Sequence, residues 1–196
     1  MKKKYIVIIV LAVLALIIYS SVKGTYNKMV TKDEIIPEKW SYVESAYQRR
    51  ADLIPNLVST VKGYADFEQE TLTQVIEARS KATSINVDAG NLNSQNVQQF
   101  LQAQEGLSGA LNRLMVVVER YPELKANRSF LDLQEQLERT ENRINIARDE
   151  FNAAVRDYNT YIRTFPRNIY ASLLGFEKKE YFQAVSGAEQ APDVEF

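Results

Sequence analysis

Apolar residues recur at alternating intervals of three and four along most of this chain, which is the period at which packed α-helices bury one face. The clearest run covers 130–165, and three further runs cover 36–54, 57–82 and 97–121. Polar residues flank each apolar seam. The pattern therefore predicts an all-α fold in which four helices each turn one apolar face inward.

Prolines and one polar stretch mark the ends of the predicted helices. Phe165-Pro166 and Tyr121-Pro122 end two of them, because the residue before a proline is pushed out of the helical region. Between Ala82 and Ser94 the sequence TSINVDAGNLN is rich in Asn, Asp, Ser and Gly. Such a composition is typical of a loop between helices.

Pro55 leaves two topologies open. The apolar phase of 36–54 continues into 57–82 without a slip, so the chain either turns at Pro55 or passes through it as one kinked helix. A turn gives four segments of similar length, as an antiparallel up-and-down four-helix bundle requires, and we favour this topology. The alternative is a fold of three long helices, with the first kinked at Pro55.

An uncharged run from Tyr5 to Val22 follows three lysines at the start of the chain. As a helix this run reaches ~27 Å, about the thickness of the hydrocarbon core of a bilayer. Lys2, Lys3 and Lys4 form a dense positive cluster before the run, which by the positive-inside rule places the N-terminus in the cytoplasm. A cleavable signal peptide is the alternative, but the apolar run is long and no Ala-x-Ala pattern follows it.

These boundaries divide the chain into four parts. We expect a cytoplasmic tail at 1–4, a transmembrane anchor at 5–22, an extracytoplasmic helical bundle at 23–176 and a C-terminal tail at 177–196. The body after the anchor is long enough to bury a core of its own.

The segment 167–176 is unusually apolar for a stretch close to the end of a chain. If it is helical, Ile169, Leu173 and Phe176 share one face. In the four-helix topology the last helix brings Phe165 back towards the bilayer. The apolar face then either caps the bundle beside the anchor or rests in the lipid headgroup region.

The composition removes several classes of function. The chain has no His and no Cys, so His-dependent nucleophiles, zinc sites and Glu-x-x-His di-iron sites lack their required residues. Without the three anchor lysines, 21 basic residues face 25 acidic ones, a net charge of −4, whereas a nucleic-acid partner requires a basic surface. We expect no cofactor, no metal, no catalytic residue and no nucleic-acid partner, although paired carboxylates remain chemically able to catalyse hydrolysis.

Six residues form a candidate interaction site or polar layer: Arg49, Arg50, Asp52, Pro55, Asn56 and Glu68. Charged groups beside a chain reversal offer directional contacts to a partner. The structural alternative is that Asp52 caps a helix, one arginine pairs with a carboxylate and Pro55 sets the backbone. Arg50 and Glu68 also occupy apolar seam positions, where a buried charge is costly unless it is paired. The alternative for Glu68 is that the seam rotates and its carboxylate reaches solvent.

Several short motifs are spread over nearly the whole chain. They are Tyr26-Asn27, Trp40, QRRADLIPNLVSTVKGYADFE at 48–68, Glu77-Ala78-Arg79, the segment from Tyr158-Asn159 to Phe165-Pro166, Leu174-Gly175-Phe176 and Pro192-Asp193-Val194-Glu195-Phe196. In these motifs the chain resembles the LemA family of membrane-anchored helical proteins. The family carries a His where this chain has Phe67 before Glu68, so no role of that His carries over.

The resemblance implies an N-terminal anchor and an up-and-down helical bundle outside the cytoplasm of a bacterium, and it brings no biochemical activity. We therefore expect a non-catalytic scaffold or interaction module, single-pass in the bacterial plasma (inner) membrane. Its expected partners are the lipid bilayer, through the N-terminal helix, unknown envelope proteins and a second copy of the chain in a homo-oligomer. The alternatives are an envelope sensor or ligand-binding module that acts through a partner protein, and a carboxylate-based enzyme.

Overall fold

A computed structural model of the chain describes residues 2–64, 68–87, 92 and 94–182. The helices are α1 (Lys2–Lys62), α2 (Gln69–Ser84), α3 (Ser94–Val118), α4 (Pro122–Lys125), α5 (Arg128–Arg163) and α6 (Arg167–Leu174). The predicted all-α class is confirmed. Phe67 and the closing motif from Pro192 to Phe196 lie outside the described residues.

The predicted reversal at Pro55 is wrong, because α1 runs without interruption through Pro37 and Pro55. A proline lacks a backbone N–H, so inside a helix it leaves the carbonyl four residues earlier without its usual donor. For Pro55 that carbonyl belongs to Ala51, and Arg79 Nε of α2 donates to it at 2.8 Å. The guanidinium of Arg79 thus replaces the missing helical bond, which stabilises helix at a position where the sequence favours a turn.

Ion pairs show that α5 runs antiparallel to α1. Lys39 Nζ lies 2.9 Å from a carboxylate oxygen of Glu150, and Arg50 Nη1 lies 3.1 Å from one of Glu141. As α1 advances, its partners on α5 come from earlier in the chain. The chain doubles back as α2 only after Lys62, and α2 packs against α3. The three-helix alternative therefore correctly keeps Pro55 inside a helix. It is wrong to extend that helix through residues 69–84, because these residues form the separate helix α2.

Buried apolar side chains form two clusters along the helical body. The distal cluster, nearer the end of α1, includes Ile54, Leu57, Leu72, Leu107, Leu114 and Phe130. The proximal cluster, nearer the start of the chain, includes Met29, Trp40, Phe100, Ile144, Phe151, Tyr158 and Phe182. Helices α1, α3 and α5 contribute to both clusters, so each of these helices buries one seam along much of its length.

Residues 176–182, here called the C-terminal strap, are bonded to α5. Asn159 Nδ2 donates to Lys179 O at 2.8 Å, and Asn159 Oδ1 accepts from Lys179 N at 2.9 Å. Asn152 Oδ1 accepts from Phe182 N at 2.9 Å. The predicted C-terminal tail therefore packs against the helical body along its described part.

The ring of Phe182 fixes the strap in the proximal cluster. It stacks on Trp40 with ring centroids 5.4 Å apart, and it meets Phe151 in a T-shaped contact at 5.0 Å. Beside it, the Tyr158 hydroxyl donates to Glu177 O at 2.9 Å. Burial is the largest cause that raises the pKa of Tyr158 to about 12.

The first part of α1 stands clear of the helical body. Its large apolar side chains from Tyr5 to Tyr19 are all exposed. α1 contains a window of 18 residues with a mean hydropathy of 2.8, none of it buried, and is long and apolar enough to cross a membrane.

Candidate functional site

A layer of buried polar residues separates the two apolar clusters. It contains Arg50 of α1, Gln104 of α3 and Thr140 of α5. Each residue occupies a seam position between apolar neighbours of the distal and proximal clusters. The seams of three helices are therefore interrupted at one level of the helical body.

Arg50 makes most of the contacts in this layer. Its Nη1 donates to Ser108 Oγ at 2.8 Å and pairs with Glu141 at 3.1 Å. Its Nη2 donates to Gln104 Oε1 at 2.8 Å and to Gln104 O at 3.2 Å. The guanidinium also lies 5.0 Å from the ring centre of Tyr47. A planar guanidinium suits such a site because it directs several donors at once.

The charges of the layer differ in their access to solvent. Arg50 is 3% exposed, whereas the side chain of Glu141 is 51% exposed. Arg50 Nε has no hydrogen-bond partner within the described part of the chain. Burial also raises the pKa of Tyr47, the aromatic neighbour of Arg50. A buried cation with polar partners is costly to form, and its best-attested use is to fix the register of packed helices.

The other five residues of the predicted site do not join Arg50 in this layer. All five are exposed: Arg49, Asp52, Pro55, Asn56 and Glu68. Asp52 lies inside α1 and accepts from Gln48 Nε2 at 2.8 Å, so it does not cap a helix. Glu68 lies just before the start of α2, is exposed and accepts from Arg120 Nη2 at 2.7 Å.

An open groove of about 1090 Å³ lies beside the polar layer. Arg49 and Asp52 of α1 line it, and Arg143 and Glu150 of α5 line it as well. Gln104 belongs to both the groove and the polar layer. Two of the predicted site residues are therefore brought together here with groups that are distant in sequence.

The groove combines charged and apolar groups. Tyr42 and Ile146 contribute exposed apolar surface to it. Lys39 Nζ donates to Glu150 at 2.9 Å beside it, and that hydrogen bond is the largest cause of the raised pKa of Lys39. Among the described residues, no three His, Cys, Asp or Glu side chains converge as metal ligands do. The surface chemistry suits a peptide or protein segment that carries both charges and apolar side chains.

Comparison with known proteins decides the family. The sequence model of the LemA family matches residues 39–196. The chain belongs to the LemA family. The matched region contains the polar layer, the groove and the strap, and it begins after the apolar segment at the start of α1.

Relatives of this LemA-family chain include magnetosome proteins and a protein named LemA. Magnetosome protein MamQ 2 of Paramagnetospirillum magneticum is 31% identical over 194 residues, which cover 90% of this chain and 71% of that protein. Magnetosome protein MamQ of Magnetospirillum gryphiswaldense is 29% identical over 176 residues, 80% of this chain and 64% of that protein. Protein LemA of Metamycoplasma hominis is 28% identical over 168 residues, 86% of this chain and 73% of that protein.

Sequence reasoning did not find the partners of Arg50 in this LemA-family chain. A signal for two members of the layer exists, because Gln104 and Thr140 are polar residues at apolar seam positions of their own helices. Glu141 gives no such signal, since it is one of many charged residues on the polar side of α5. Only the helix register in three dimensions places Glu141 beside Arg50.

Proposed function

We propose that this LemA-family chain is a non-catalytic scaffold or interaction module of the bacterial envelope. In this proposal the first part of α1 crosses the plasma membrane and the N-terminus is cytoplasmic. The helical body is an antiparallel four-helix bundle outside the cytoplasm, formed by the rest of α1 with α2, α3 and α5. The proposal rests above all on the continuity of α1 from Lys2 to Lys62. Because no linker separates the apolar segment from the helical body, the anchor and the body move as one rigid unit.

The length of α1 sets how far the body extends. From Val22 to Lys62 the helix rises roughly 60 Å at 1.5 Å per residue. The groove, which begins at Tyr42, then starts roughly 30 Å from the bilayer. A groove held at that height is suited to an envelope protein rather than to lipid. Membership of the LemA family, with relatives named MamQ and LemA, supports a membrane-associated helical protein.

The carboxylates of the groove favour binding over catalysis. A glycosidase-like enzyme needs two carboxyl groups turned towards one substrate. Three carboxylates line the groove: Glu44, Asp52 and Glu150. Glu150 pairs with Lys39, Asp52 accepts a hydrogen bond from Gln48, and Glu44 is not free either. These contacts give the three groups roles within the folded chain and support the non-catalytic proposal.

Topology provides the first test. An enzyme reporter that is active only outside the cytoplasm, fused after Phe196, is expected to be active in intact bacteria, because Lys2, Lys3 and Lys4 retain the N-terminus inside. A cytoplasm-specific reporter at the same position is the control and is expected to be silent. Activity of the cytoplasmic reporter would contradict the orientation. A mature chain that begins after Ser21 and is released by mild salt would contradict the anchor.

Binding of an envelope protein through the groove is the second part of the proposal, and the groove itself is the observation that favours it. We expect a photocrosslinking amino acid at Ile146 to give one discrete product in native membranes. Ile146 lines the groove and is exposed. Leu131 lies on the same helix, is also exposed and is not among the residues that line the groove, so it is the matched control.

A charge reversal tests whether the product depends on the groove. Arg49→Glu changes the charge of an exposed groove residue and leaves buried Arg50 intact. It is expected to abolish the product from Ile146, because reversing a charge at an interface removes its complementarity to the partner. Equal crosslinking from Leu131 and Ile146, or a product that is insensitive to Arg49→Glu, would exclude the groove as the binding surface.

A further inference from the structure

Helix α6 packs Tyr170 and Ala171 against the proximal cluster and leaves a second apolar face exposed. Ala171 is buried against the body, whereas Ile169 and Leu173, on the opposite side of the helix, are 49% and 78% exposed. Phe165, just before α6, is 77% exposed. A surface helix of a soluble domain places its apolar residues in the reverse arrangement. Phe176, predicted to share this face, instead contacts Tyr26 of α1.

The position of α6 along α1 is fixed by neighbouring contacts. Lys32 pairs with Asp157, so the end of α5 comes down beside the part of α1 that precedes Lys32. After α6, the Phe176 ring meets Tyr26 in a T-shaped contact at 5.7 Å. Tyr26 follows the end of the uncharged run at Val22 by only about 6 Å of helix. The exposed apolar face of α6 therefore lies at the level where α1 would emerge from a bilayer.

Both ends of α6 are held in place. At the start, Arg167 packs its guanidinium 4.3 Å from the ring centre of Tyr161. At the end, Gly175 has φ 77° and the chain turns back into the strap, which is bonded to α5. Gly175 suits this turn because a left-handed backbone is strained for a residue with a Cβ atom. Contacts at both ends therefore hold α6 in a fixed position against the helical body.

Charge at this level differs from that of the whole body. Residues 22–28 and 163–178 contain Lys23, Lys28, Arg163, Arg167 and Lys178, with Glu177 as the one carboxylate. The body as a whole has more acidic than basic residues. Basic side chains close to exposed apolar side chains favour binding to the surface of an anionic bilayer.

We propose that α6 is a second membrane contact: its Ile169 and Leu173 face inserts into the headgroup region of the same bilayer that α1 crosses. This inference rests on the proposed anchor. A single transmembrane helix can rotate and tilt in the bilayer. A second contact through α6 restricts both motions and so fixes the tilt of the helical body. The height and orientation of the groove then become defined relative to the membrane.

The absence of Cys from the chain makes a direct test practical, since each substitution introduces a single labelling site. The full chain is reconstituted in vesicles of phosphatidylethanolamine and phosphatidylglycerol, with a spin label at Leu14→Cys, Ser59→Cys or Ser172→Cys. Leu14 reports on the anchor, Ser59 on the far end of α1 and Ser172 on α6. Collision rates with oxygen, which enriches in lipid, and with a water-soluble nickel chelate measure the depth of each label.

We expect the label at Ser172 to collide with oxygen more than the label at Ser59 does, and less than the label at Leu14. Ile169→Asp with Leu173→Asp is expected to return the Ser172 label to the aqueous pattern without lowering the melting midpoint, because both side chains are exposed. An aqueous Ser172 label beside a deep Leu14 label would overturn the α6 contact and leave the anchor intact. An aqueous Leu14 label would overturn the anchor. Immobilisation of the Ser172 label that grows with protein concentration, without oxygen access, would assign the face to a second copy and overturn the lipid contact.

Discussion

Replacing Phe151 by alanine is expected to lower the free energy of unfolding by about 3–5 kcal/mol, the usual cost of removing a buried aromatic ring from a core. Phe151 is 2% exposed in the proximal cluster. Its ring meets Trp40 at 5.6 Å and Phe182 at 5.0 Å, so its removal leaves a cavity between α1, α5 and the strap. The chain has a single tryptophan, Trp40, and its fluorescence during urea unfolding in detergent micelles reports this cluster directly.

Two isoleucines on the same helix provide matched controls. Ile144 is 1% exposed and Ile146 is 59% exposed. Ile144→Ala is expected to cost about 2–5 kcal/mol, because it leaves a cavity, whereas Ile146→Ala is expected to stay within about 0.5 kcal/mol. A loss below about 1 kcal/mol for Phe151→Ala would show that the seam of α5 is not the core.

The seam of α5 could be predicted because helical periodicity is a local property of the sequence. The apolar run predicted over 130–165 contains Phe130, Ile144, Phe151 and Tyr158, and all four are buried. Exposure of Ile146, two residues after Ile144, follows from the same period. The all-α class was predictable for this reason, since each helix signals itself through its own residues.

The passage of α1 through Pro55 could not be predicted in this way. The carbonyl that Pro55 leaves without a donor is satisfied by Arg79, which lies 28 positions beyond Ala51 in the chain. A long-range bond of this kind has no local signature, and local rules favour a turn before proline. The Arg79 motif was visible in the sequence, but its use became clear only from the antiparallel packing of α2 on α1.

The strap was hidden from sequence analysis for a related reason. Residues 176–182 form no helix or strand with a period of their own, and their bonds run to side chains of α5 such as Asn152 and Asn159. A lone Phe near a chain end gives little indication that it stacks on Trp40. The candidate site was predictable only in part: Arg50 was placed on the apolar seam and is buried, whereas Arg49 is exposed, but the partners of Arg50 on α3 and α5 were not predicted.

Because Arg50 is buried and Arg49 is exposed, replacing Arg50 is expected to have the second large effect on stability. Arg50→Met is expected to lower the free energy of unfolding by about 1–3 kcal/mol, because it leaves the buried Gln104 Oε1 without its donor. Arg49 is exposed, so Arg49→Met is the matched control and is expected to change stability by less than about 0.5 kcal/mol. Unfolding followed by circular dichroism and by Trp40 fluorescence measures both variants.

A double-mutant cycle shows whether the layer acts as a unit. Gln104→Leu alone removes one acceptor of Arg50 and also the donor to Ala82 O, so we expect it to cost about 1–3 kcal/mol. In the double variant Arg50→Met with Gln104→Leu, no buried cation and no buried amide remain at this pair. The combined loss should therefore be smaller than the sum of the single losses by about 0.5–3 kcal/mol. Simple additivity, or an equal loss for Arg49→Met, would show that Arg50 does not fix how α1, α3 and α5 pack. Non-additivity would mean that α1 and α3 are coupled at this level through the Arg50 guanidinium, which also pairs with Glu141 of α5, beside the groove that we propose as the partner site.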